Sequence, residues 1–166
     1  MNNTDPQTHD FEDGNGAVPA HRHPNGGGWV SDDNTVSDDS YISSNSVVAG
    51  ASVVTNRSRV DDRSRVDGAS IVTGASIVTG ASIVTDRSVV DGGSRVDGGS
   101  RVTDRSVVDG GSRVDGGSVV TGASVVAGGS IVAGGSRVDD RSVVAGGSIV
   151  AGGGRVLRAN ARASTP

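Results

Sequence analysis

The sequence predicts an all-β chain wound as a parallel β-helix, on three observations. An aliphatic residue recurs at every sixth position from Val30 to Val156, 22 times without a slip. A serine stands two residues ahead of it, in phase from Ser40 to Ser148. The remaining positions hold turn residues in fixed order, so that one unit reads Ser-x-Val-x-Gly-Gly. Self-similarity at a short fixed period is read before local propensity, because one repeat cannot bury its apolar face alone and stacking must do it.

Each part of the hexad has a physical role. In Ser-x-Val, a short strand points Ser and Val to one face and x to the other. The next three residues, as in Asp97-Gly98-Gly99, turn the chain. From Gly50 to Gly152 the second turn position is always Gly, Asp or Asn, the residues that a left-handed backbone conformation favours. Where that residue is Gly, the third is Ala or Gly. Where it is Asp or Asn, the third is Arg, as in Asn56-Arg57, Asp62-Arg63, Asp86-Arg87, Asp104-Arg105 and Asp140-Arg141. On the solvated corner, such a pair contributes at most about 1 kcal/mol. Three sides close a triangular coil of 18 residues, giving about seven coils and a prism on the order of 35 Å long at roughly 4.8 Å per coil. Val and Ile fill the axis at roughly 1.5–3 kcal/mol each, and the inward serines require partners, expected among turn backbone groups.

The period sets the boundaries. Residues 1–28 form an irregular N-terminal cap or tail, 29–157 the β-helix, and 158–166 a C-terminal tail. In the lead-in, Phe11 and Val18 are expected to fold over the first coil and cover its open edge, which would otherwise invite pairing. The first three turns carry Asp32-Asp33, Asp38-Asp39 and Ser44-Asn45 in place of the later glycines. At the far end, Arg162 stands where the next aliphatic residue is due.

Composition narrows the function classes. With one Phe, one Tyr and one Trp, the chain cannot build a layered aromatic core. The absence of Cys removes disulfides, thiolate metal sites and a cysteine nucleophile. A net charge of −4 gives no expectation of nucleic acid. No signal peptide and no 18-residue apolar run is present, so cytoplasmic synthesis and no membrane partner are expected. All 15 basic residues are Arg.

The period, the small residue two before the aliphatic one and the turn glycines together resemble the hexapeptide-repeat proteins. The resemblance implies a single-stranded left-handed parallel β-helix. Left-handed winding departs from the usual crossover rule and comes from the resemblance alone. The lead-in His21-Arg22-His23-Pro24-Asn25-Gly26-Gly27-Gly28-Trp29-Val30 also resembles uncharacterised bacterial and phage "transferase hexapeptide" proteins with a GGGWV-like start. That likeness implies a phage virion, bacterial surface or scaffold setting, and the hexapeptide resemblance implies a trimer.

Hexapeptide acyltransferases use a His base at a cleft between subunits, with acyl-CoA as donor. Here His9, His21 and His23 all precede Trp29, and no loop interrupts the repeat. A base must reach its proton, so acyl transfer requires that the N-terminal segment fold back. It stands as the alternative. The pair His21 and His23 lacks further ligands. No catalytic residue, metal or cofactor is expected.

Residues 18 apart stack, so the outward mid-strand positions form three rows. One runs Trp29, Val47, Arg65, Ile83, Arg101, Val119, Arg137, Arg155. Another runs Tyr41, Arg59, Ile77, Arg95, Arg113, Ile131, Ile149. The third, Thr35, Val53, Ile71, Val89, Val107, Val125, Val143, holds no charge. A contiguous exposed apolar stripe usually marks association, so Val53, Ile71, Val89, Val107, Val125 and Val143 are the candidate interface for self-association. Elsewhere Arg59/Asp61, Arg95/Asp97 and Arg113/Asp115 are spaced to pair along the surface. Ice binding through a Thr ladder fails, because the positions beside this row read Ser37, Thr55, Thr73, Asp91, Asp109, Ala127, Ala145. The ends differ in charge, with eight acids in residues 1–40 and three Arg with no acid in 151–166, so docking end to end or onto a larger assembly is expected to be salt-dependent. The expected function is a non-catalytic structural or adhesive rod.

Overall fold

A computed structural model describes residues 7–157 and 160–162. Among them every strand from Trp29 onward pairs in parallel with the strand one coil away, in three sheets of ten, eight and seven strands, the ten including two strands that precede Trp29. We name them by one outward residue each. Trp29, Val47 and Arg65 lie in the first, the Trp29 sheet. Thr35, Val53 and Ile71 lie in the second, the Val89 sheet. Tyr41, Arg59 and Ile77 lie in the third, the Tyr41 sheet. The register is 18 residues from Val30↔Val48 to Val138↔Val156, which makes a three-sided solenoid of about seven coils.

The axis is a single column of aliphatic side chains. Ile42 and each Val from Val48 to Val144 are fully buried. The serines beside them are buried too. Most of their hydroxyls take the backbone N–H of the serine one coil on, as Ser94 N donates to Ser76 Oγ at 3.1 Å, while those of Ser58 and Ser88 have no such bond. Toward the C-terminal end they also donate to the turn carbonyl three residues back, as Ser136 does to Ala133 at 2.6 Å. The expected turn partners are thus half of the answer. The other half is a ladder running along the axis.

Corners are bonded from coil to coil as tightly as strands. Arg95 N donates to Ser112 O, Asp97 N to Val114 O, and Gly99 N to Gly80 O, at 2.9, 2.9 and 2.7 Å. The left-handed conformation expected at the second turn position extends to the third. Asp62 and Arg63 have φ of 51° and 61°, and Gly98 and Gly99 have 64° and 74°. Two successive positive φ values mark a type I′ turn. Arg57, Arg63, Arg87, Arg105 and Arg141 therefore all sit where L-residues are disfavoured. First-coil corners are built otherwise, with no positive φ. There Ser31, Ser37 and Ser43 donate their hydroxyls to Asp33, Asp39 and Asn45, side chains that close turns on themselves.

The segment before the repeat, expected to be irregular, carries a hairpin. Strands β1 (Thr8–Asp10) and β2 (Ala17–Arg22) pair antiparallel, and β2 pairs antiparallel with β3 (Trp29–Ser31). The edge of the Trp29 sheet is thereby covered by backbone. Phe11 and Val18 pack outside it, with Ala20 and Ala49, against Trp29 and Val47. The edge of the Tyr41 sheet is covered by residues 25–28, where Gly28 N donates to Ile42 O and Ile42 N to Asn25 O. A Cβ at Gly28 would lie 2.3 Å from Ile42 Cγ2, and one at Gly26 would lie 2.3 Å from Ile42 O, so this strap requires glycine. At the other end the register shortens. Val144 pairs with Ala161, and Ala145 with Arg162. One residue is dropped from the last coil, so the slot expected to meet Arg162 falls to Ala161. Arg158, with the rest of the C-terminal tail beyond these strands, lies outside the described residues.

Candidate functional site

The structure brings the six candidate interface residues into one line. Val53 pairs with Ile71, Ile71 with Val89, Val89 with Val107, Val107 with Val125, and Val125 with Val143. All occupy the outward position of a two- or three-residue strand. Ile71 is 37% exposed and the five valines are half-buried by their neighbours on the sheet. From Val53 to Val143 the stripe crosses five coil spacings, about 24 Å.

The other two faces differ by a regular ion pair. Arg59, Arg65, Arg95, Arg113 and Arg137 each reach the aspartate two residues on: Asp61, Asp67, Asp97, Asp115 and Asp139. In the typical case Arg95 Nη2 lies 2.7 Å from Asp97 Oδ2, while Asp97 Oδ1 accepts from Gly98 N at 2.6 Å. Burial raises the carboxyl pKa of Asp97, but the Arg95 guanidinium and the Gly98 N–H outweigh it and hold the group below its ordinary 3.8. Asp61 is held down in the same way. The three pairings expected from spacing are therefore formed, with two more, Arg65–Asp67 and Arg137–Asp139. Corner pairs such as Asp62-Arg63 form no ion pair among the described residues. Instead Asp62 and Asp104 accept from the hydroxyls of Thr79 and Thr121, one coil on, and Asn56 donates to Thr73.

The N-terminal segment does fold back, and it places the histidines apart. His9 stacks on Trp29 with ring centroids 4.4 Å apart and meets Phe11 edge-on. Arg22 lies 4.2 Å from the same Trp29 ring. His21 Nδ1 lies 2.8 Å from Asp32 Oδ1 at the surface. His23 is 2% exposed, its Nδ1 accepting from Asn25 N at 3.2 Å. A cavity of about 320 Å³ lies between the hairpin and the start of the solenoid, lined by Phe11, Val18, Ala49, Asp13, Asp32 and Asp33 among others. Sequence reasoning missed this cavity, since its walls come from segments without a shared period. Arg65 secures the hairpin by donating from Nη1 to Phe11 O at 2.6 Å. Among the described residues no group of three or more His, Asp or Glu is placed to hold a metal ion. Compared with known proteins, the chain matches no family model, no curated protein and no solved structure.

Proposed function

We propose that the chain is a left-handed β-helix of the hexapeptide-repeat kind that serves as a non-catalytic, rigid rod and self-associates through the Val53–Val143 face. The observation that carries this reading is the unbroken aliphatic stripe on one of three faces, while mid-strand arginine is confined to the other two. An exposed row of this length costs free energy in water and is covered most simply by copies of the same chain. At a side width of roughly 20 Å, the stripe offers on the order of 500 Å² per partner, at the small end for specific interfaces. A trimer follows from the hexapeptide resemblance, and a phage virion or bacterial surface as its setting from the likeness of the GGGWV lead-in.

The test is the mass in solution of the wild type beside Val89→Arg/Val107→Arg. The expected result is a wild-type oligomer and a mutant that is a folded monomer by circular dichroism. A monomeric wild type would remove the interface reading.

One observation favours a second reading. The His21–Asp32 contact beside the N-terminal cavity is the arrangement that orients an imidazole as a base. Acyl transfer from acyl-CoA would then use His21. Acetyl-CoA binding by calorimetry, abolished in His21→Ala, would replace the rod by an enzyme, whereas the rod predicts no binding.

A further inference from the structure

The Val53–Val143 face carries an ordered pair of charges at its two edges, on adjacent coils. The hexads there read Arg87-Ser88-Val89-Val90-Asp91 and Arg105-Ser106-Val107-Val108-Asp109. A cation precedes the outward valine and an anion follows it. The two coils stack in register, Val89 on Val107. On the other faces each described aspartate at this place is paired with the arginine two residues before it. Here valine takes the arginine's place. Among the described residues the carboxylates of Asp91 and Asp109 hold only the backbone N–H of Gly92 and Gly110, each at 2.5 Å. Arg87 and Arg105 form no ion pair among the described residues, yet stand at φ of 63° and 62°, where most corners use Gly or Ala; Arg141 precedes Val143 at the same edge, but there Ala145 stands in place of the aspartate. A strained, exposed arginine without an internal partner, facing an unpaired aspartate across an apolar strip, is an arrangement half complete.

Symmetry decides what completes it. Suppose two copies meet face to face about a two-fold axis parallel to the solenoid. The leading edge of one face then meets the trailing edge of the other, and Arg87 meets Asp91 of the second copy while Asp91 meets its Arg87. A two-fold axis across the solenoid keeps leading edge on leading edge. Arg87 then faces Arg105 and Asp91 faces Asp109, and like charges at an interface are unfavourable. A three-fold axis parallel to the solenoid also joins leading to trailing edges. Asp86 and Asp104 lie one residue further round the corner, and Asp104 is engaged by Thr121. We propose that copies of this chain assemble side by side, parallel and in coil-for-coil register, with Arg87 and Arg105 of one meeting Asp91 and Asp109 of the next. This rests on the reading that the Val53–Val143 face is where copies meet.

Cysteine cross-linking tests orientation, and the chain contains no Cys to interfere. Val53→Cys and Val143→Cys, at opposite ends of the stripe, are oxidised separately and mixed, one of them carrying a size tag. The expected result is that each variant links to itself and the mixture yields no tagged–untagged 53–143 product. A 53–143 link, with neither self-link, overturns the parallel register while keeping the face as interface. Association without either link moves the contact elsewhere and overturns both readings. Absence of association before oxidation sinks the interface itself. Charge variants supply an independent measure. Arg87→Glu/Arg105→Glu is expected to weaken association about tenfold or more, and adding Asp91→Arg/Asp109→Arg to restore it to within about threefold. No loss in the first variant, with folding unchanged, overturns the proposal.

Discussion

From Val48 to Val144 the axis repeats one pair of residues, a serine and a valine, whereas the corners around it alternate between two chemistries. The axis is where the burial lies, and it cannot tell one hexad from another. The corners can. Where a corner aspartate follows the strand, as in Asp67, Asp91, Asp97, Asp109, Asp115 and Asp139, its Oδ1 lies 2.2–2.8 Å from where a Cβ of the residue 17 places back would stand. For these six that residue is glycine each time: Gly50, Gly74, Gly80, Gly92, Gly98 and Gly122; for Asp61, above the differently built first coil, it is Ser44. Where the earlier corner holds Asn56, Asp62, Asp86 or Asp104, the residue 17 places on is threonine, whose small side chain leaves room and whose hydroxyl can bond.

Sliding the stack breaks these matches. A slip of one hexad one way puts Asn56 over Asp67, Asp86 over Asp97 and Asp104 over Asp115, and the other way Asp86 over Asp109. Skipping a coil puts Asn56 over Asp91, Asp62 over Asp97 and Asp104 over Asp139. The core supplies stability without register, and the corners supply register at small energetic weight. That division is the answer to slippage among near-identical repeats.

Four substitutions or conditions probe the division, in falling order of effect. Val96→Asp puts a carboxylate in the fully buried column and is expected to cost about 4 kcal/mol or more, abolishing the folded circular dichroism signal. A cooperative melt near that of the wild type would contradict the axis as the seat of stability. Gly80→Asp drives a side chain into Asp97 and is expected to cost roughly 2–3 kcal/mol. Gly80→Asp/Asp97→Thr recreates the Asp62–Thr79 arrangement and should recover most of it. If the double variant melts no higher than the single, corner matching does not set register.

Acid is next. Asp61, Asp97 and Asp139 are all held below the ordinary 3.8 in the folded chain. Their contribution is complete above the unfolded value and lost as pH falls through the lower folded values. Thermal stability should therefore be flat from neutrality to about pH 5 and decline below about pH 4. A melting point independent of pH down to 2 would show that these pairs contribute nothing. The smallest effect belongs to Arg95→Ser, which removes one ion pair whose arginine is 45% exposed. It should lower stability by about 0.5 kcal/mol or less in a denaturant titration.

The solenoid was legible because each hexad votes for the same period, and the candidate face because stacking every 18 residues is arithmetic. What escaped the sequence was set by contacts without a period. Arg63 and Arg105 look like ordinary surface residues, and only the backbone reveals them in left-handed turns. The hairpin over Thr8–Arg22 depends on one phenylalanine and on Arg65, 54 residues away, which no local pattern links. The matching of Gly80 with Asp97 was hidden because turn glycine has a sufficient local explanation, and the second explanation lies in the next coil.

The three backbone bonds that each hexad sends to its neighbour lie along the rod, so a pull on the two ends loads one coil boundary at a time. Each coil that peels away frees 18 residues, about 60 Å of extended chain, while the rod shortens by about 5 Å. Stretched as a single molecule, it should lengthen in even steps of about 55 Å, one per coil, behaving as a spool that yields by the turn.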